Sequence, residues 1–211
     1  MYREGSLLTY LEDAASKKPA PGGGSVSALA GALAAAMGEM VANFPAGRKK
    51  FAAVEGDVRQ VLASLTECRA DLLELMDADV IAYGAVDAAY SMPAEGDAQM
   101  AVRKEAVAEA LRGAMQVPLR VMRRCGQVSA AAERMARIGN ANLITDAGVS
   151  AILAEAACAA ARLNVEVNLK LLEDTGLRRD TAREMDELTA QTRAAREAVL
   201  RAVAAHLGGN A

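Results

Sequence analysis

Tryptophan is absent from this chain, and four tyrosines and two phenylalanines make up all its aromatic side chains. So few aromatics disfavour a β-sandwich, whose pleated faces draw on aromatic and β-branched residues, and leave no stacking platform for single-stranded nucleic acid. Basic charge is also short. The 24 lysines and arginines face 27 aspartates and glutamates, a net charge of −3, so no broad cationic surface exists to neutralise phosphates, and nucleic acid is not expected as a partner. One histidine, His206, and three widely spaced cysteines, Cys68, Cys125 and Cys158, make no ligand set at zinc spacing. No metal is therefore expected, and the cysteines read as reduced core thiols. The first residues lack a basic segment followed by an apolar signal core. No uninterrupted apolar run reaches the ~20 residues that span a bilayer. The nearest, residues 26–44, carries Glu39. These absences lead to the expectation of a cytoplasmic protein without membrane contact.

What is present is helix-forming mass. Hydrophobic residues are 53% of the chain, enough for a packed core at 211 residues, and alanine, leucine, valine and methionine supply most of them. The expected class is all-α, an antiparallel bundle of roughly seven helices in one domain over residues 1–211. Periodicity and turn residues place a short amphipathic helix after Ser6, ending near Lys17-Lys18-Pro19, and a small-residue helix over 25–44. Gly31 and Gly38 lie on one stripe of the second, where another helix can approach closely. A helix over 51–90, bent near Gly84, should follow. Asp97 should cap a helix through Gln116, which Pro118 kinks or splits before it resumes to Arg137. Thr145 or Asp146 should cap an apolar helix to Leu172, and a charged outer helix should cover 178–207.

Four groups of residues carry chemistry. The run Pro19-Ala20-Pro21-Gly22-Gly23-Gly24-Ser25 joins a glycine loop to a helix start, where free N–H groups and the helix dipole attract anions; it also reads as an ordinary turn with Ser25 as N-cap. Asp79, Tyr83, Asp87 and Tyr90 share a helical stripe that either lines a cleft or faces solvent. Asp77, about 160° away around the same axis, reads as exposed. Asn164 and Asn168, four apart in an apolar segment, can read a heterocycle with donors and acceptors or tie two helices together. Arg48-Lys49-Lys50 is a basic cluster after a helix end, suited to carboxylates if it folds towards the glycine loop or a neighbouring subunit. His206, near the C-terminus on a charged helix, is a poor general base. Neither a nucleophilic triad nor a dinucleotide-binding fingerprint is present.

In sequence order these pieces resemble the formiminotransferase-cyclodeaminase C-terminal domain family, over almost the whole chain. The resemblance rests on residues 19–29, on Asn43 through Lys50 and on the segment from Asp79 to Pro93. It continues through Arg103, Val117-Pro118-Leu119, Gly139-Asn140-Ala141-Asn142 to Asp146, and Leu163-Asn164-Val165-Glu166-Val167-Asn168-Leu169. It implies an all-helical homodimer that handles folate, in some cases polyglutamylated, in a cleft near the subunit interface. It implies one-carbon chemistry on tetrahydrofolate without a further cofactor. A cyclohydrolase opens the 5,10-methenyl bridge with water; a cyclodeaminase closes 5-formiminotetrahydrofolate with loss of ammonia. A non-catalytic folate- or partner-binding oligomer is the competing reading.

On the matching positions, Asp79 or Asp146 would manage protons or stabilise the cationic carbon, with Tyr83 assisting. Asn164 and Asn168 would orient the heterocycle. Gly22, Gly23, Gly24 and Ser25, with Lys49 or Lys50, would hold glutamate-tail carboxylates, and Asn43 and Asn142 would join the binding set. This chain departs from the family's pattern at Asn43-Phe44-Pro45, where a threonine is usual, and at Ala94, where a lysine often follows the proline.

Overall fold

The computed structural model describes residues 1–208, and within them the chain is helical with no strand. Six α-helices form where roughly seven were expected: α1 (Leu7–Ala14), α2 (Gly23–Asn43), α3 (Glu55–Tyr90), α4 (Asp97–Ile138), α5 (Ile144–Lys170) and α6 (Thr175–Gly208). Three short 3₁₀ segments, Tyr2–Glu4, Lys49–Val54 and Ala141–Leu143, link them. Ser6 caps α1 by accepting the Leu8 N–H at 3.2 Å, and Asp174 accepts the Leu177 N–H at the start of α6. The α3 helix begins later than residue 51 because the preceding six residues wind as 3₁₀. Leu143, not Thr145 or Asp146, precedes α5 as its cap residue.

The helix count differs because Pro118 sits inside one continuous helix of 42 residues. Proline removes the N–H that would bond the carbonyl four residues earlier, here that of Ala114. Asn168 of α5 supplies the missing donor: its Nδ2 lies 3.4 Å from the Ala114 oxygen. The orphaned acceptor is satisfied from a neighbouring helix, so α4 is not divided.

The five long helices alternate in direction. Glu39 pairs with Arg69 and Gly24 faces Asp79, which makes α2 and α3 antiparallel. Asp71 binds Arg120 and Arg124, and Asp57 binds Arg134, which does the same for α3 and α4. Gly31 and Gly38 act as their spacing predicts. A Cβ at Gly31 would lie 3.1 Å from Leu72 and Cys125, and one at Gly38 3.1 Å from Leu65. Between the helices Leu65, Leu72, Leu75, Met115, Leu119 and Met122 are fully buried, together with all three cysteines, which are unpaired.

Two segments, Gly23–Asn43 and Ala141–Lys170, are long and apolar enough to cross a membrane, despite Glu39. About half of each is buried inside the bundle. The remainder is an outward apolar stripe: Val26 and Leu33 on α2 and Val149, Ile152, Leu163 and Val167 on α5 are all at least two-fifths exposed. Because α2 and α5 are antiparallel neighbours, with Gly23 beside Asn164 and the Ala34 carbonyl bonded by Ser150, these stripes run side by side.

Asp77 is not exposed as its spacing suggested but only 6% accessible. The N-terminal 3₁₀ turn folds over it, the Tyr2 N–H donating to Oδ1 at 2.7 Å and Arg3 standing 3.7 Å from Oδ2.

Candidate functional site

One end of the bundle holds a cleft of about 330 Å³, bounded by the glycine loop, α3, α4 and α5. Its floor is the start of α2. Gly22 is the cap residue, so the helix begins before the position at which Ser25 could cap it. The capping group comes instead from α3: Asp79 Oδ2 accepts the Ser25 N–H at 2.9 Å. The anion anticipated at this helix start is, at Ser25, the chain's own carboxylate. The N–H groups of Gly23 and Gly24, also on the cleft wall, have no acceptor among the described residues.

Asp79 is held closely. A methyl group on Gly24 would overlap Asp79 Oδ1 and stand 2.6 Å from its Cγ, so only glycine leaves room for this carboxylate. Burial pushes the Asp79 carboxyl above its ordinary pKa, and the Ser25 N–H partly offsets the rise by favouring the charged form. A carboxyl held in a cleft with its proton affinity raised by burial is suited to proton transfer. Behind it runs a chain of side chains that sequence reasoning missed. Tyr10 Oη lies 3.0 Å from Ser25 Oγ, and the Tyr2 ring packs edge-on against Tyr10 at 5.2 Å. In the sequence Tyr10 is one apolar position of an amphipathic helix, and no local pattern pairs it with Ser25.

The opposite wall carries the two asparagines. Asn164 Nδ2 donates to the Ala160 carbonyl at 3.0 Å, and Asn168 Nδ2 to the carbonyls of Asn164 and Ala114. Backbone oxygens require the nitrogen to face them, so the amide orientations are fixed and both Oδ1 atoms remain acceptors without a donor among the described residues. Asn168 thus ties two helices together and also lines the cleft. Tyr83, 48% exposed, stands one turn from Asp79 at the mouth, while Asp87 is exposed and outside the lining.

The cleft therefore gathers Gly22, Gly23, Gly24, Asp79, Tyr83, Asn164 and Asn168, with Ser25 beneath. It does not gather the other candidates. Asp146 is eighteen residues before Asn164 on α5, about 27 Å along the axis at 1.5 Å per residue. Asn43 ends α2, Lys49 and Lys50 follow it, and Asn142 precedes α5, so all four occupy the far end of the same bundle. Pro45 is buried there, whereas Ala94 lies near the cleft end. Among the described residues no three His, Cys, Asp or Glu side chains converge as a metal site.

The sequence profile of the formiminotransferase-cyclodeaminase family matches residues 6–187. The chain belongs to this family. The methenyltetrahydrofolate cyclohydrolase of Methylorubrum extorquens is 40% identical over 94% of this chain and 95% of its own length. The formimidoyltransferase-cyclodeaminase of Rattus norvegicus is 31% identical over 91% of this chain; the chain spans only 36% of that longer relative. The crystal structure of formiminotetrahydrofolate cyclodeaminase from Thermotoga maritima superposes with a TM-score of 0.86 at 30% identity, covering 96% of this chain and 97% of that one. Membership of the formiminotransferase-cyclodeaminase family accounts for the order of motifs along the chain. The glycine loop, the Asp79 segment and the Asn164–Asn168 segment, which run from Gly22 to Asn168 in the chain, form one cleft.

Proposed function

We propose that this chain is a methenyltetrahydrofolate cyclohydrolase, adding water to the 5,10-methenyl bridge of tetrahydrofolate to give 10-formyltetrahydrofolate. The observation that carries the reading is Asp79, a carboxyl with raised proton affinity seated on a helix start inside a cleft lined by free amide donors and acceptors. The full-length similarity to the Methylorubrum enzyme supports it. Water attacks the cationic methenyl carbon and gives one proton to Asp79. The tetrahedral adduct then releases its hydroxyl proton, the water's second, as the C–N5 bond breaks, and Asp79 returns the first to N5. One proton leaves overall, as a cation plus water becoming a neutral formamide requires. The Gly23 and Gly24 amides, at the positive end of α2, would receive the oxygen as charge develops on it. The Asn164 and Asn168 oxygens would accept from the N–H groups of the pterin, and Tyr83 would shield the reacting carbon from the mouth. Water and proton transfer suffice, with the folate as substrate and no further cofactor.

The same reading includes a homodimer formed through the α2–α5 stripe. A two-fold axis perpendicular to the two antiparallel helices at the level of Leu33 exchanges their ends. It would carry Asn43, Lys49, Lys50, Asn142 and Asp146 of one subunit to the cleft of the other, uniting two sets of residues that lie at opposite ends of one chain. Leu33→Glu, which folds as a monomer because Leu33 is 54% exposed, is expected to halve the mass in analytical ultracentrifugation and to abolish turnover. A dimeric Leu33→Glu protein with full activity would overturn this interface. A cytoplasmic location, supported by three buried unpaired thiols, belongs to the same reading.

The likeness to the Thermotoga enzyme favours a second reading, cyclodeaminase, in which N10 attacks the formimino carbon and Asp79 protonates the departing amine. The two are separated by absorbance. Loss of the methenyl chromophore faster than in a buffer blank supports the cyclohydrolase. Ammonia release from 5-formiminotetrahydrofolate with no such acceleration supports the deaminase. Folate binding without either reaction leaves a non-catalytic binding module.

A further inference from the structure

A second cavity of about 490 Å³ opens where the C-terminus of α3, the N-terminal part of α4 and the end of α5 meet. It shares two wall residues with the first cleft, Leu111 and Leu171, so the two lie side by side along the bundle. Its axis follows the antiparallel α3–α4 pair. Tyr83 at the first cleft and Tyr90 at the second are seven residues apart on α3, about 10 Å along the helix. The walls between are apolar, with Val107 and Ala108 between the leucines and the cationic end.

That end is built around Arg103. Its Nη2 donates to the Tyr90 carbonyl at 2.6 Å, which holds the guanidinium against the C-terminus of α3. Every other charged group on the wall has a partner. Lys104 pairs with Glu173 at 3.0 Å, Arg112 with Glu109 at 3.0 Å, and Asp174 caps α6. Arg103 alone among them has no carboxylate within ion-pair distance among the described residues. A half-buried, fork-shaped cation anchored by one N–H on the wall of an apolar cavity is complementary to a carboxylate at the end of a flat apolar group.

Resting on the cyclohydrolase reading, we propose that this second cavity binds the p-aminobenzoyl-glutamate portion of the substrate, with Arg103 taking a glutamate carboxylate and Arg112 and Lys104 adding charge at the rim. The geometry matches the substrate's order of groups: one benzoyl ring and one amide separate the one-carbon bridge from that carboxylate, as the apolar walls separate Asp79 from Arg103. This places the tail on α4 and not on the glycine loop, whose Ser25 amide is already engaged by Asp79.

The test compares 5,10-methenyltetrahydrofolate with its counterpart lacking glutamate, 5,10-methenyltetrahydropteroate. Arg103→Met is expected to raise KM for the first roughly ten- to a hundredfold, the effect of losing a charge-assisted bond, with little change in kcat. KM for the second should be unchanged. A merely structural Arg103, bracing the end of α3, would shift both substrates equally, and that result would overturn the proposal. Because Arg103→Met also removes a bond to Tyr90, the exposed Arg112→Met provides a fold-neutral companion with a smaller shift in the same direction. Ligand-observed NMR with p-aminobenzoyl-glutamate reads the subsite without turnover. Binding to the wild type that Arg103→Met removes supports the subsite even if no cyclohydrolase activity is found. Turnover of both substrates by the wild type with equal KM and no fragment binding overturns the subsite while leaving the catalytic reading standing.

Discussion

Asp79→Asn should lower kcat by about 10²- to 10⁴-fold, the usual contribution of a positioned general acid–base group, without weakening the fold. The stability half of this expectation follows from the sign of the pKa shift. Burial raises the Asp79 pKa in the folded protein. The folded state therefore binds more protons than the unfolded chain between the ordinary and the raised pKa, so stability falls as pH rises through that window and remains lower above it. An asparagine cannot ionise, and its Oδ1 can still accept the Ser25 N–H that Asp79 accepts at 2.9 Å. At neutral pH the variant's thermal midpoint should equal or exceed that of the wild type. In the wild type, kcat should decline as pH falls through the Asp79 pKa, which burial raises above its ordinary value. Steady-state kinetics over pH with paired thermal melts check both halves. Full activity in the variant would remove Asp79 from the mechanism, and a lowered midpoint would make it a structural cap.

Gly24→Ala tests the same carboxylate from the other side. The added methyl would overlap Asp79 Oδ1, and because Gly24 is in the first turn of a helix seated on the core, the carboxylate must give way. Displacing it removes the cap on α2, a loss of about 0.5–2 kcal/mol, while alanine in place of glycine in a helix returns about 0.8–1 kcal/mol. Stability should therefore change by no more than about 1 kcal/mol, whereas turnover should fall by ~10²-fold or more as Asp79 leaves its position. Gly113→Ala, in the exposed part of α4 with nothing within 4 Å of the new methyl, is the control and should be as active as the wild type. Equal activity in the Gly24 and Gly113 variants would show that the close fit of Gly24 to Asp79 has no part in catalysis.

The asparagine wall shows how a fold feature and a site feature can share one residue. Pro118 would ordinarily break α4, and Asn168 looked equally suited to ligand or structure. The structure joins the two: the carbonyl of Ala114 freed by Pro118 is bonded by Asn168 Nδ2, and that bond turns Asn168 Oδ1 away as a free acceptor on the cleft wall. Neither residue discloses this alone, because the contact spans 54 positions.

The helical class, the small-residue face of α2 and the family are legible in the residues alone, because they depend on local periodicity, composition and the order of motifs. The sequence also contained the cleft residues as separate marks, since glycine at a helix start and amides in an apolar segment are unusual wherever they occur. Which of these marks meet depends on how the helices pack. Helices of 21 to 42 residues place the two ends of one segment tens of ångströms apart, so Asp79 and Asp146, equal candidates on chemistry, fall at opposite ends of the bundle. The same long-range packing buried Asp77 under the N-terminal turn, gave α2 a cap from α3 and left Arg103 without a carboxylate beside an apolar cavity. Burial and partnership across the chain set proton affinity and free binding capacity, and neither is a property of local sequence.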